Sequence, residues 1–289
     1  MSLQRKCALC LQDAELCESH IIPSFFGAYL KETSATGYMR NGDQPNLRRQ
    51  DLPKERLLCD NCEGRFAVLE KYFKENILHL VQSDHFTELE YNSSLLLFLV
   101  SISWRVLVTQ QGLMNKVYPN FLEIVNCTLE NWRQFLLGER QQPGSEQHMF
   151  VITGIPKGMP TRLHEKTLHY LLRGIDTAIV DSSRTFFVYT KALRTLIFSP
   201  LVPASPTGWI GTRVHSVAGR LTATQAIEMP MFLDFLNSCV EEGHLKPLSD
   251  KQRQKIKDAI IEKPERALAS ESYKVEMTTK QLALRKSEK

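Results

Sequence analysis

A chain of 289 residues, 43% apolar and 24% charged, has the composition of an ordinary globular protein and can bury a substantial core without disulfides. The N-terminus, MSLQRKCALC, lacks the apolar stretch of a secretion signal. The most apolar run, residues 95–108, contains Ser101 and Ser103 and meets Arg105, so a buried helix in a cytoplasmic protein is expected rather than an exported or membrane-spanning chain. The net charge of +4 is unevenly spread: residues 1–90 hold 11 Lys and Arg against 14 Asp and Glu, and residues 244–289 hold 12 against 7. Bulk attraction for a nucleic acid is therefore expected mainly from outside the N-terminal segment.

Taken in chain order, residues 1–62 carry paired cysteines among polar loops. Residues 33–53, rich in Gly, Asn, Asp, Arg and Pro, read as a long loop or irregular hairpin. A helix is expected from Cys59, with Phe66, Leu69, Phe73, Ile77 and Leu80 on its apolar face and Glu70, Lys71, Lys74 and Glu75 towards solvent. A second helix spans about residues 93–110. A third spans about 120–137, with Phe121, Val125, Leu129, Trp132 and Leu136 on one face. The pattern then turns to short β-rich runs at residues 148–153, 168–180 (broken near Gly174), 185–189, 193–198 and 209–217, with a hairpin turn near 190–192. Helix returns at residues 231–241 and again from Ser249, where Ser249-x-x-Gln252 resembles a capping box ahead of Ile256, Ile260 and Ile261. Residues 263–289 read as a polar, loosely ordered tail. The sum is an α+β chain with a metal-binding segment in front.

Seven cysteines are present, and four of them form two CxxC pairs, Cys7/Cys10 and Cys59/Cys62. In a chain without an export signal this pattern favours metal over disulfides. Zn²⁺ takes four soft or borderline ligands in a tetrahedron, and each CxxC turn delivers two thiolates, so these four are the expected ligands of a structural zinc. The second pair opens a helix, whose N-terminus favours thiolate charge. Metal binding would close the 48-residue loop between Cys10 and Cys59. Cys17 is a spare thiol that could compete as a ligand, and Cys127 and Cys239 are expected in the core.

Between the knuckles lies Glu18-Ser19-His20-Ile21-Ile22-Pro23, and the second knuckle reads Leu57-Leu58-Cys59-Asp60-Asn61-Cys62-Glu63. This order resembles the zinc-finger branch of the HNH (His-Me finger) endonucleases over residues 5–70. There a CxxC knuckle precedes an Asp-His-Ile-x-Pro strand, and a Leu-Cys-x-x-Cys-His motif opens the helix. The resemblance implies a treble-clef, ββα-metal-like finger, with His20 as the general base that activates water against a DNA or RNA phosphodiester. It also implies Glu63 as holder of a catalytic Mg²⁺ or Mn²⁺. A base and a cation must converge on one phosphorus because phosphate esters repel nucleophiles. Three positions depart from the family: Ser19 stands at its metal-binding Asp, Glu63 at its helix His, and Lys54 where an Asn usually orients the base. Over most of its length the chain is also similar to a set of bacterial HNH-like proteins sharing Ser-His-Ile-Ile-Pro, Leu-Leu-Cys-x-x-Cys-Glu and Ser-Ile-x-Trp-Arg, the last matched by Ser101 to Arg105.

These readings divide the chain into an HNH-like finger with its helix at 1–90, an α+β domain at 91–262 and the tail. Arg48, Arg49, Lys54 and Arg56 are candidate contacts to a nucleic-acid backbone. Trp104 and Arg105 read as core packing around a satisfied buried cation. His164 and His169, flanking Glu165, lack the spacing of a helical metal motif, and no P-loop or Rossmann glycine pattern is present. Two functions stay open: a metal-dependent nuclease or its nucleic-acid-binding derivative, and a non-catalytic zinc-finger adaptor that docks a protein partner.

Overall fold

A computed structural model describes residues 5–42, 44–153, 166–182, 185–229, 231–242 and 246–287, and the chain is of mixed α+β type. It forms two compact units that interleave along the sequence instead of following one another in blocks. The first gathers Met1–Pro23, Pro53–Thr153 and Asp176–Met229, and the second gathers Ser24–Leu52, Gly154–Ile175 and Pro230–Lys289.

The first unit is built around the helix Ser93–Val117. Asn92 caps it, its side chain accepting from the Ser94 N–H at 2.9 Å. Between Leu95 and Leu107 the helix presents no face to solvent, and Leu95, Phe98, Leu99, Val100, Ile102, Val106 and Leu107 are all fully buried. Length and composition alone would let Ser93–Met114 cross a bilayer, but 67% of its most apolar window is buried within the protein. It outlasts the expected end near residue 110 because nothing stops it before Pro119, where a short 3₁₀ turn leads into Leu122–Leu137. That next helix buries Val125, Leu129, Trp132 and Leu136 as its periodicity requires, and stops at Gly138 in the left-handed region (φ 81°). Cys127 lies off this face and is exposed, and Cys239 is only half-buried, so neither is a core residue as expected.

A five-stranded sheet packs on the core helix in the order Arg213–Val214, Gln147–Val151, Thr195–Val202, Thr185–Ala192, Ile175–Ser182. Residues 190–192 continue the ladder instead of turning. The two-residue turn is Leu193–Arg194, flanked by the pair Ala192 and Thr195, with Leu193 at φ 54°. The expected β-run at 168–180 divides at Gly174. Thr167–Arg173, in the second unit, is helical because Leu168, Leu171 and Leu172 recur at helical spacing, and the strand begins at Ile175.

Lys191 lies fully buried in this sheet, and its Nζ has no hydrogen-bond partner among the described residues. Burial pushes its pKa well below the usual lysine range, against the pull of Asp176. Between that depressed value and the unfolded one near about 10.4, the unfolded chain holds the proton and the folded chain does not, so stability rises with pH across this window. Lys191→Met keeps the aliphatic length and removes the charge. It is expected to raise the melting temperature at neutral pH and to flatten the alkaline rise, both readable by thermal melts across pH. A lower melting temperature with the rise intact would contradict the buried, unpaired amine.

The second unit contains the helices Ser24–Glu32, Thr167–Arg173, Phe232–Glu242 and Asp250–Glu262, and the hairpin Met39–Asn41 with Gln44–Arg49. The hairpin supplies the irregular structure expected at 33–53. Ser249 caps its helix, accepting from the Gln252 N–H at 3.4 Å, but Ile256, Ile260 and Ile261 do not form a buried face, and Ile261 is 75% exposed. The supposed tail is helical at Pro264–Ala269 and Glu271–Ser287. Its order comes from long-range partners that composition does not reveal. Ala267, Ser270 and Val275 are buried, Arg266 donates to the carbonyls of Ser34 and Lys31, and the Ala35 N–H donates to Ser272 Oγ at 3.0 Å.

Candidate metal centre and histidine strand

The first knuckle is closed by its own backbone. The Cys7 N–H donates to Gln12 O and the Leu11 N–H to Cys7 O, both at 2.9 Å, with Leu11 at φ 61°. The Ala8 N–H donates to Leu57 O at 3.0 Å, stitching the knuckle to the strand Lys54–Cys59. That strand runs directly into the helix Asp60–Phe73, with Cys59 at the N-cap and Cys62 in the first turn. The Sγ atoms of Cys7, Cys10, Cys59 and Cys62 consequently all lie within 4.8 Å of one another. The Cys10–Cys59 separation is 3.7 Å, and a zinc tetrahedron with bonds of about 2.3 Å has edges of about 3.8 Å. The donor set therefore fits a metal such as zinc. Among the described residues this is the one group of three or more metal-ligating side chains brought so close.

The electrostatics agree with a site made for a cation. Burial raises the Cys7 pKa, but the N–H groups of Cys10, Cys59 and Leu9 outweigh it and lower the value to about 7. The Cys59 N–H lies 3.3 Å from Cys7 Sγ. Cys62 moves the other way, pushed up first by burial and then by hydrogen bonding to Cys59 and the charge of Cys7, and Cys10 is also raised. Four packed thiols cannot all ionise without a cation among them; a bound dication removes that penalty. Cys17 stands outside the cluster, its thiol pushed up by burial and by the charges of Asp60 and Glu63.

The strand Leu16–His20 pairs antiparallel with Lys54–Cys59, placing Leu16 against Cys59, Glu18 against Arg56, Ser19 against Glu55 and His20 against Lys54, with a bulge between Cys17 and Glu18. Ser19 is fully buried, and its Oγ donates to Glu63 Oε2 at 2.7 Å. Glu18 is exposed, on the face away from Ser19. The strand end is fixed from below by Arg105. This fully buried guanidinium donates from Nη1 to His20 O and to Glu70 Oε1, each at 2.8 Å, and from Nε to Ser101 O at 3.2 Å. It lies 5.1 Å from the Phe66 ring centroid, and Trp104 meets the same ring edge-on. Arg105 is thus the buried cation its sequence context implies, with Nη2 alone left without a partner among the described residues.

Glu70 was expected on the solvent face, and its partnership with Arg105 is the contact the sequence did not reveal. Beyond Glu70 the phase of this helix also departs from the regular periodicity expected of it. A π-helical turn at Lys74–Leu78 inserts a residue, so Leu78 and Val81 are buried and Leu80 is turned outward. Of the four candidate backbone contacts, Lys54 and Arg56 lie on the strand opposite the histidine. Arg48 and Arg49 belong to the hairpin of the second unit. His169 lies 3.2 Å from a Glu276 carboxylate oxygen, while His164 and Glu165 lie outside the described residues. Comparison with protein-family models, with curated proteins and with solved structures gives no match for this chain.

Proposed function

We propose that the front of the first unit is a treble-clef zinc finger of the ββα-metal type, resembling the HNH endonucleases, and that it hydrolyses nucleic-acid phosphodiesters with a divalent ion, in the cytoplasm. The observation that carries this reading is the hydrogen bond between Ser19 and Glu63. It brings together the strand position just before the histidine and the helix position just after the second knuckle, the two places that flank the catalytic ion in that family. In this reading the four cysteines hold a structural zinc. His20 accepts the proton of the attacking water, and Lys54, its cross-strand neighbour, contacts the phosphate together with Arg56. Glu63 retains Oε1 for an ion. Mg²⁺ sites often use one or two carboxylates and complete their shell with water and substrate phosphate, so a single carboxylate suits that chemistry. The ion would supply charge stabilisation at the reacting phosphate.

The adaptor reading is favoured by the same bond seen differently. A buried serine held by a carboxylate is also a plain clasp between strand and helix. Incubation of supercoiled plasmid and single-stranded DNA with Mg²⁺, with Mn²⁺ or with EDTA separates the two. Nicking or cleavage that needs the added ion is expected. Substrates left intact under every condition by protein that retains its zinc would give the adaptor reading.

A further inference from the structure

The second unit contains an open cleft of about 600 Å³, formed by the end of helix Ser24–Glu32, the residues leading into the hairpin, and the helices Asp250–Glu262 and Pro264–Ala269. Five cations line it: Lys31, Arg48, Lys255, Lys263 and Arg266. Three carboxylates also do, Glu32, Asp258 and Glu262, so the lining keeps an excess of two positive charges. None of the five cations forms a salt bridge among the described residues. Their contacts are with groups that leave the charge intact. Arg266 donates to the carbonyls of Lys31 and Ser34, Lys31 donates to the carbonyl of Gln50, and the Arg48 guanidinium lies 4.4 Å from the centroid of the Tyr38 ring. Gly37, at φ 71°, lets Arg266 approach the chain closely: a Cβ there would sit 3.0 Å from Nη2. Lys31, Arg48 and Arg266 are therefore held in place before any ligand arrives, which lowers the entropic cost of binding.

Arg40 strengthens the case from the adjoining strand. Its Nε and Nη2 are buried without a partner among the described residues. Burial pushes its pKa down, and the like charge of Arg48 pushes it further in the same direction. Two neighbouring guanidiniums with no carboxylate between them among the described residues are a local surplus that an anion relieves.

We infer that this cleft binds the phosphate backbone of a nucleic-acid strand, as a site separate from the histidine strand. Phosphodiester is the fitting anion class because the cations are spread along an open cleft, and binding to such an array releases counterions. The assignment rests on the reading that nucleic acid is the ligand of this chain, but it needs no cleavage.

The test uses the full chain with its zinc, a labelled single-stranded oligonucleotide, no added Mg²⁺ or Mn²⁺, and anisotropy read across a salt series. Arg48, Lys255 and Lys263 are exposed, so the triple change Arg48→Gln, Lys255→Gln and Lys263→Gln should leave folding and zinc content unchanged. It is expected to weaken binding at low salt about tenfold or more, and to reduce the slope of log affinity against log salt by about 2. Unchanged affinity and slope would overturn the assignment. So would equally tight binding of poly-glutamate lost in the same variant, which would make the ligand an acidic protein surface. If the variant loses DNA binding while no protein ever cleaves DNA, the cleft stands and the hydrolase reading falls. If the wild type cleaves and the variant binds as before, the reverse holds.

Discussion

Cys59→Ser is expected to abolish metal content. The wild type should carry about one zinc per chain by elemental analysis, and the variant essentially none. The effect is expected to be large because Cys59 Sγ is one of the four clustered sulfurs, whereas its N-cap position and its N–H against the Cys7 sulfur belong to the backbone and survive in serine. Structural zinc contributes on the order of 10–16 kcal/mol in finger peptides. Hydrogen exchange should show protection lost first in the knuckle at 5–14 and along the paired strands Leu16–His20 and Lys54–Cys59. The helix Ser93–Val117 should keep its protection, because its buried side chains do not depend on the sulfurs. Carefully prepared wild-type protein without zinc would remove the basis for a metal centre.

The metal cluster was legible in the sequence because CxxC spacing is a local constraint: a knuckle is a turn, and the turn chemistry is written in adjacent residues. The same holds for the Ser249 cap, the apolar face of Leu122–Leu137 and the buried core helix. What failed depended on distant residues. Pairing of Glu70 with Arg105 joins positions 35 apart, and no periodicity of the helix carrying Glu70 announces it. The order of residues 264–287 comes from backbone groups near residues 31–36, the carbonyls of Lys31 and Ser34 and the N–H of Ala35. The π turn at Lys74–Leu78 moves Leu80 off the face that a regular helix would give it. The division into interleaved units is likewise a property of long-range contacts. At the histidine strand, the residue types were legible, but the bond between Ser19 and Glu63 appears only when strand and helix are brought together.

His20→Ala is expected to lower the rate of ion-dependent cleavage about 10²–10⁴-fold, the usual contribution of a positioned general base, with zinc content and melting temperature near wild type. The separation of effects follows from how the strand is held. Arg105 grips the carbonyl of His20 and not its ring, so removing the imidazole leaves that hydrogen bond in place. Glu63→Gln should instead raise the Mg²⁺ or Mn²⁺ concentration needed for half-maximal rate, because it weakens an ion ligand and leaves the base intact. Ser19→Asp is the sharper companion. Ser19 is fully buried and lies 2.7 Å from a Glu63 oxygen, so a carboxylate there places two like charges in contact unless a cation lies between them. This variant should melt below wild type in the absence of divalent ions and regain stability as Mn²⁺ is added, with cleavage rising in parallel. Loss of zinc and stability together in His20→Ala would make the histidine structural, and a Ser19→Asp defect that Mn²⁺ does not relieve would mean that no ion is held between strand and helix.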